Sequence, residues 1–273
     1  MTTFADMGLS PRILDRLSSK GFTDPTPIQS QAIPHILNGR DIMGLAQTGT
    51  GKTAAFGLPL LQNLIKAAAV DTSKMRATPR HPRALILAPT RELAIQIHEE
   101  LGKLAGVSKM NFACVIGGVN QNPQVKKLRM AVDILVAAPG RLLDLMNQGH
   151  VNLSETKFLV LDECDRLLDM GFIPQVKRIV RATPRREDRQ TLLFSATMPD
   201  SVAELSKAYL NDPVRVEAAP PGKAADKVAQ SVYFVQAKGK VDLLKTLLHE
   251  REDDLSLVFA RTKHGAEKLM KQL

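Results

Sequence analysis

The sequence predicts an α/β protein built on a parallel sheet with helices on both faces. Two observations predict it. Short, near-continuous apolar runs alternate with longer amphipathic stretches, and a Gly-rich turn joins one such run directly to a helix. A strand covered on both faces has no solvated side, so it loses the in-out alternation of a half-exposed strand. In chain order the strand segments are DIMGLA (41–46), RALILA (83–88), NFACVI (111–116), DILVAA (133–138), FLVLD (158–162) and TLLFS (191–195). Helical patterns fill the gaps, among them TAAFGLPLLQNLIKAA (53–68) and RELAIQIHEELGKLAG (91–106). In open sheets of this kind, ligands bind beyond the carboxyl ends of the strands.

Two segments interrupt the pattern. VDTSKMRATPRHPR (70–83) has basic residues and two prolines but no apolar periodicity, and reads as a mobile, solvated loop. RVEAAPPGKAADKVAQ (215–230) is rich in Ala, Pro and Gly and reads as an interdomain linker. The expected organisation is therefore a first domain over 1–214, a linker over 215–230 and a second α/β unit over 231–273. In the last unit SVYFVQA and LSLVFAR read as strands, KVDLLKTLLHE and HGAEKLMKQL as helices. Two strands and two helices scarcely close a core, so this unit reads as the incomplete start of a domain.

Composition narrows the partners. A net charge of +9 over 273 residues suits a polyanionic partner, most simply nucleic acid, although charge alone favours a soluble enzyme that is merely basic. Aromatics make up only 4% and Trp is absent, which argues against a surface that binds bases mainly by stacking. The two cysteines, Cys114 and Cys164, are too few for a disulfide framework and point to a reducing compartment. MTTFADMGLSPR shows no secretory pattern, and no apolar run is long enough to span a bilayer. A cytoplasmic protein with no membrane association is expected.

The chemistry concentrates in two places. AQTGTGKT follows the first strand and opens a helix, so Ala46, Gln47, Thr48, Gly49, Thr50, Gly51, Lys52 and Thr53 form a phosphate-binding loop. Its glycines let backbone N–H groups close on phosphate oxygens, and the helix N-terminus adds partial positive charge. Lys52 suits the β- and γ-phosphates and the Thr53 hydroxyl suits Mg2+. The second place is FLVLDECDRLLDMGF (158–172), where an apolar strand runs into Asp162, Glu163 and Asp165. Clustered carboxylates resist desolvation unless a cation sits among them. Mg2+ on a nucleoside triphosphate is that cation: Asp162 holds it and Glu163 acts as general base on water.

On these residues the chain resembles the DEAD-box ATP-dependent RNA helicases. DECD (162–165) is similar to their DEAD motif, with Cys164 where Ala is usual. GFTDPTPIQ (21–29) resembles the Q motif of a region spanning about 2–30, with Phe4 at its isolated upstream aromatic. PTRELA (89–94), Gly117-Gly118, APGR (138–141), SAT (195–197) and LVFART (257–262) resemble further motifs in order and spacing. Ala46 and Ala138 depart from the usual Gly and Thr. The pattern is most similar to the bacterial RhlE-type branch. The resemblance implies RecA-like folds, ATP and Mg2+ as cofactors, RNA as partner and local duplex unwinding. It also implies that Phe22 packs on adenine and Gln29 pairs with its edge. Thr90, Arg91, Gly118 and Arg141 would contact RNA backbone, while Ser195 and Thr197 bond Asp165 and couple hydrolysis to strand separation.

Cys164 is small and weakly polar, so catalysis should survive it. The family's motifs V and VI, with their arginine fingers, have no counterpart in the sequence. The expectation is a fragment that binds ATP and RNA but hydrolyses ATP poorly. Two other readings stand beside it: a nucleotide-gated RNA-binding module, and a DNA-directed P-loop translocase.

Overall fold

Seven strands pair into one sheet, every pair parallel: β1 (Ile42–Leu45), β2 (Ala84–Leu87), β3 (Phe112–Val115), β4 (Ile134–Ala137), β5 (Phe158–Leu161), β6 (Gln190–Ser195) and β7 (Val214–Glu217). Their order across the sheet is β3-β4-β2-β5-β6-β1-β7. This computed structural model describes residues 3–70, 78–106, 110–218, 229, 231–250 and 255–273. The chain divides into two compact units, Met1–Gly222 and Lys223–Leu273. In the first, the helices are α1 (Pro11–Ser19), α2 (Pro27–Leu37), α3 (Lys52–Val70), α4 (Arg91–Ala105), α5 (Asn122–Leu128), α6 (Pro139–Asn147), α7 (Cys164–Asp169), α8 (Ile173–Arg181) and α9 (Asp200–Tyr209). The second holds α10 (Lys240–His249) and α11 (Lys263–Met270). No described helix is long and apolar enough to cross a membrane.

The core follows from strand alternation. Ala84, Ile86 and Val160 face one side with Ile33 of α2, Phe56 of α3 and Ile97 of α4. Leu85, Leu87, Leu159 and Leu161 face the other with Leu142 of α6, Leu167 of α7 and Ile179 of α8. Successive side chains on a strand point to opposite faces, so each apolar run feeds two cores at once. At the amino edge Arg83 donates to Asp133 at 3.0 and 2.6 Å, and the Asn111 N–H donates to the same carboxylate at 2.7 Å. That clamp joins the starts of β2, β4 and β3.

Three expectations change. The linker does not begin at 215, because Arg215–Glu217 belong to β7 and pair with β1, Leu45 opposite Glu217. VRVE lacks apolar continuity because it is an edge strand, where charged side chains are normal; Arg215 and Glu217 pair with each other at 2.6 Å. Most of the expected linker, 219–228 and 230, lies outside the described residues. The 70–83 loop is tighter than expected. Val70 is still helical, Thr78 bridges His81, Pro79 bridges Ala131 and Arg83 is buried; 71–77 lie outside the described residues. In the second unit both helices form, but neither SVYFVQA nor LSLVFAR is a strand among its described residues. A strand is defined by a hydrogen-bonded neighbour, and these two have none among the described residues: Phe234 is 99% exposed and Phe259 88%.

Candidate functional site

The Gly-rich loop leaves β1 under constraint. The Ala46 N–H donates to the Ser195 carbonyl at 3.0 Å, which ties the loop's start to the end of β6. Gly49 and Gly51 have φ of 84° and 89°, a left-handed conformation that favours glycine. At Gly51 the need is double, since a Cβ there would lie 2.4 Å from Gln29 Nε2. Helix α3 starts at Lys52. The Lys52 ammonium is only 6% exposed; it donates to the Ala46 carbonyl at 3.2 Å and lies 3.7 Å from Asp162 Oδ1. Gln47, Thr48 and Gly49 are exposed, and Thr50 and Thr53 half-buried. The Thr50 hydroxyl donates to the Gln47 carbonyl at 2.8 Å.

The acids stand across from this loop at the end of β5. Asp162 is buried; burial pushes its carboxyl up, and the Lys52 ammonium opposes that rise. The Glu163 N–H caps Asp162 Oδ1 at 2.9 Å. Glu163 itself sits at φ 49°, ψ 55°, left-handed for a non-glycine residue, a strain that the surrounding bonds must hold. Its Oε1 accepts from the Thr48 hydroxyl and its Oε2 from Arg166 Nη1, both at 2.9 Å. Cys164 is buried with its Sγ 3.6 Å from the Leu161 carbonyl, and burial pushes its thiol well up. A thiol held protonated is a packing group rather than a redox switch.

Asp165 faces the end of β6. Its Oδ2 accepts from the N–H groups of Ala196 and Thr197 at 3.1 and 2.9 Å and from the Thr197 hydroxyl at 3.0 Å. The Ser195 Oγ instead accepts from the Asp165 N–H at 3.2 Å. So both hydroxyls reach Asp165, one at its carboxylate and one at its backbone.

Above the loop, Gln29 is buried on α2. Its Oε1 accepts from the Thr26 N–H at 3.0 Å and its Nε2 donates to the Gly51 carbonyl at 3.1 Å. One lone pair and one N–H remain for an adenine edge. Phe22 is half-buried against the core, with part of its side chain exposed. Phe4, expected among the nucleotide-binding residues, is 4% exposed inside the apolar cluster. It packs there beside Met7 and Leu9 because the segment is pinned to α3, where Gln62 Oε1 accepts from the Ser10 N–H at 2.7 Å and Nε2 donates to the Gly8 carbonyl at 3.0 Å.

The remaining site residues gather beyond β2, β3 and β4. Thr90 caps α4 by accepting from the Leu93 N–H at 3.2 Å. The exposed Arg91 next to it lies against Gly118, where a Cβ would come 2.1 Å from its Nη1. Arg141 donates to the Val119 carbonyl at 3.3 Å and faces Asp144 at 3.9 Å. Adjacent strands β3-β4-β2 thus carry this group, and adjacent strands β5-β6-β1 carry the loop and the acids. The carboxyl edge is divided into two contiguous halves.

The donor set fits a Mg2+-nucleotide. Among the described residues no group of three or more His, Cys, Asp or Glu side chains could cage a metal alone. Mg2+ bound through phosphates needs only one or two protein oxygens plus water, and Thr53 with Asp162 is such a set. The buried Lys52 and the α3 N-terminus supply the positive charge a polyphosphate requires. Arg166 escaped the sequence reading. Only its position three residues past Glu163 on a helix start could have signalled it.

A family model described as DEAD/DEAH box helicase matches residues 26–205. The ATP-dependent RNA helicase RhlB of Pseudomonas aeruginosa is 42% identical over 273 residues, covering 100% of this chain and 68% of that protein. DEAD-box ATP-dependent RNA helicase 20 of Arabidopsis thaliana is 42% identical, with 99% of this chain and 53% of the relative covered. CshA of Bacillus anthracis is 41% identical, with coverage of 100% and 49%. The chain therefore spans about half to two thirds of these relatives. A crystal structure of a DEAD box protein from Methanococcus jannaschii superposes with a TM-score of 0.71 at 36% identity, covering 99% of this chain and 69% of that one.

Proposed function

Because the chain belongs to the DEAD/DEAH box helicase family, we propose that it binds ATP with Mg2+ on one half of its sheet edge and RNA backbone on the other, as part of an ATP-dependent RNA helicase that opens short duplexes. The observation that carries this reading is the meeting of Lys52, Asp162 and Glu163 from the ends of β1 and β5 in one buried cluster. Phe22 and Gln29 take the adenine, with the free N–H and lone pair of Gln29 matching its N6/N7 edge. Lys52 turns from the Ala46 carbonyl to the β- and γ-phosphates, and Thr53 and Asp162 hold the metal. Mg2+ supplies charge neutralisation for the phosphate oxygens. Glu163, kept in place by Thr48 and Arg166, takes the proton of the attacking water.

Asp165 relays the event. It joins the helix that follows Glu163 to the end of β6 through Ser195 and Thr197. Thr90, Arg91, Gly118 and Arg141 hold phosphates along one strand, so structured or duplex RNA is engaged through its backbone rather than its bases. The division into an ATP-binding unit, a linker and a second RecA-like unit is part of the proposal. So is a cytoplasmic setting, with which the two free cysteines, Cys114 and Cys164, are consistent.

Glu163→Gln tests the assignment of the base. In a chain extended to the relatives' length, ATP turnover should fall at least about a hundredfold, while the affinity for a fluorescent ATP analogue stays within about twofold. Turnover that survives the change would remove Glu163 from the reaction. Equal binding of RNA and DNA strands of one sequence would favour the translocase reading instead.

A further inference from the structure

We propose that Gln124 is a positioning residue for the polyanion-binding half of the edge: its buried carboxamide fixes the Gly117-Gly118 loop, and that loop sets where Arg91 and Arg141 hold their guanidinium groups. The proposal rests on the RNA reading above and adds to it a residue with no phosphate contact of its own.

The need arises from topology. Strand β3 is the sheet's outer strand on this half and, among the described residues, pairs only with β4. The Val115 carbonyl points to that neighbour and accepts from the Ala138 N–H at 2.9 Å. Backbone groups of the next residue point the opposite way along a strand, so Ile116 turns its N–H and C=O to the side that has no strand. Ile116 is buried, and a buried backbone group without a partner is costly.

Gln124 on α5 supplies the partner. Its Oε1 accepts from the Ile116 N–H at 3.1 Å and its Nε2 donates to the Ile116 carbonyl at 3.1 Å. The second N–H of the same amide reaches the Asn120 carbonyl at 3.3 Å. One buried side chain thereby stands in for a missing strand and also closes the loop, since Ile116 and Asn120 are its two ends. A primary amide is the side-chain group that offers an acceptor and two donors together.

Between those ends the loop carries both cations. Arg91 lies directly on Gly118, which at φ +72° has no Cβ to keep it away. Arg141 is anchored on the Val119 carbonyl. Arg91 starts α4 and Arg141 lies at the start of α6, two elements that follow different strands. Their spacing is therefore fixed by the loop they share. Preset cations bind a phosphate backbone without first losing side-chain freedom.

The experiment uses Gln124→Met, which keeps length without the amide. It also uses Gln124→Glu, which keeps the acceptor and sets a carboxylate against two carbonyls. Four quantities are read: affinity for a labelled single-stranded RNA oligonucleotide, affinity for a fluorescent ATP analogue, Tm, and amide hydrogen exchange over 116–120. Arg91→Ala and Arg141→Ala serve as references. Both Gln124 variants should lose about tenfold in RNA affinity, about the value of one charge-assisted contact. ATP-analogue affinity should stay within about twofold, and exchange in the loop should quicken. RNA affinity unchanged in both variants, while the two arginine references lose it, overturns the proposal. Parallel loss of RNA affinity, ATP affinity and Tm also overturns it, because it marks a role in folding only. If the arginine references bind RNA like the parent chain, the RNA reading itself falls.

Discussion

Gln29 meets two demands with one amide. Its residue type and place ahead of the loop are legible in the sequence, and its adenine role comes from the resemblance. Its bond to the Gly51 carbonyl is not legible, because 22 residues separate the two and nothing local marks the contact. The left-handed backbone of Glu163 was equally hidden, since no acidic residue advertises such a conformation. The structure sharpens what Gln29→Ala should do. The change strands the Thr26 N–H and the Gly51 carbonyl, at roughly 1–3 kcal/mol for each group left without a partner. A lower Tm should accompany a fall in the ATP:GTP affinity ratio towards one. Competition assays and thermal melts check both; a preserved ratio would mean that adenine is recognised by other groups.

Elements were legible where one physical cause dominated. The five interior strands are visible because burial on both faces makes them largely apolar, and the outer strand β3 because Phe112–Val115 are themselves apolar. β7 was hidden because an edge strand tolerates Arg215 and Glu217. The two apolar segments of the second unit show the converse: β-propensity without a pairing neighbour leaves no strand. The loop after β3 offers a test at this scale. Gly118 is left-handed and lies under Arg91, whereas a Cβ on Gly117 would meet nothing within 4 Å. Gly118→Ala should cost about 1 kcal/mol of stability for its backbone alone and should displace Arg91, weakening RNA binding. Gly117→Ala should change neither. RNA titration with both variants decides, and equal losses would show that the loop's flexibility, rather than the seat of Arg91, matters.

Sheet order, which no pattern in the sequence revealed, organises the molecule as a whole. Strand identity was legible, but neighbours in the sheet are far apart in the chain: β2 lies beside β5, and β1 beside both β6 and β7. The consequence is that the residues proposed for polyphosphate and those proposed for phosphodiester occupy adjoining but separate halves of one edge, meeting at β2 and β5. Binding at the two halves should then be separable. Lys52→Ala removes the buried ammonium and should lower ATP-analogue affinity about a hundredfold or more, as expected when a charged contact is lost. Without nucleotide, its RNA affinity should match the parent. Arg91→Ala and Arg141→Ala should leave ATP-analogue affinity within about twofold and weaken RNA binding at low salt. Each should also flatten the dependence of log K on log salt by roughly 0.7, the share of one phosphate contact on a single strand. Titrations at three or more salt concentrations give the slope directly. If an arginine variant binds more weakly with the slope unchanged, its guanidinium does not neutralise a phosphate and acts through hydrogen bonding or loop geometry. Should Lys52→Ala abolish RNA binding in the absence of nucleotide, the two halves are one site, and the division drawn from sheet order is wrong.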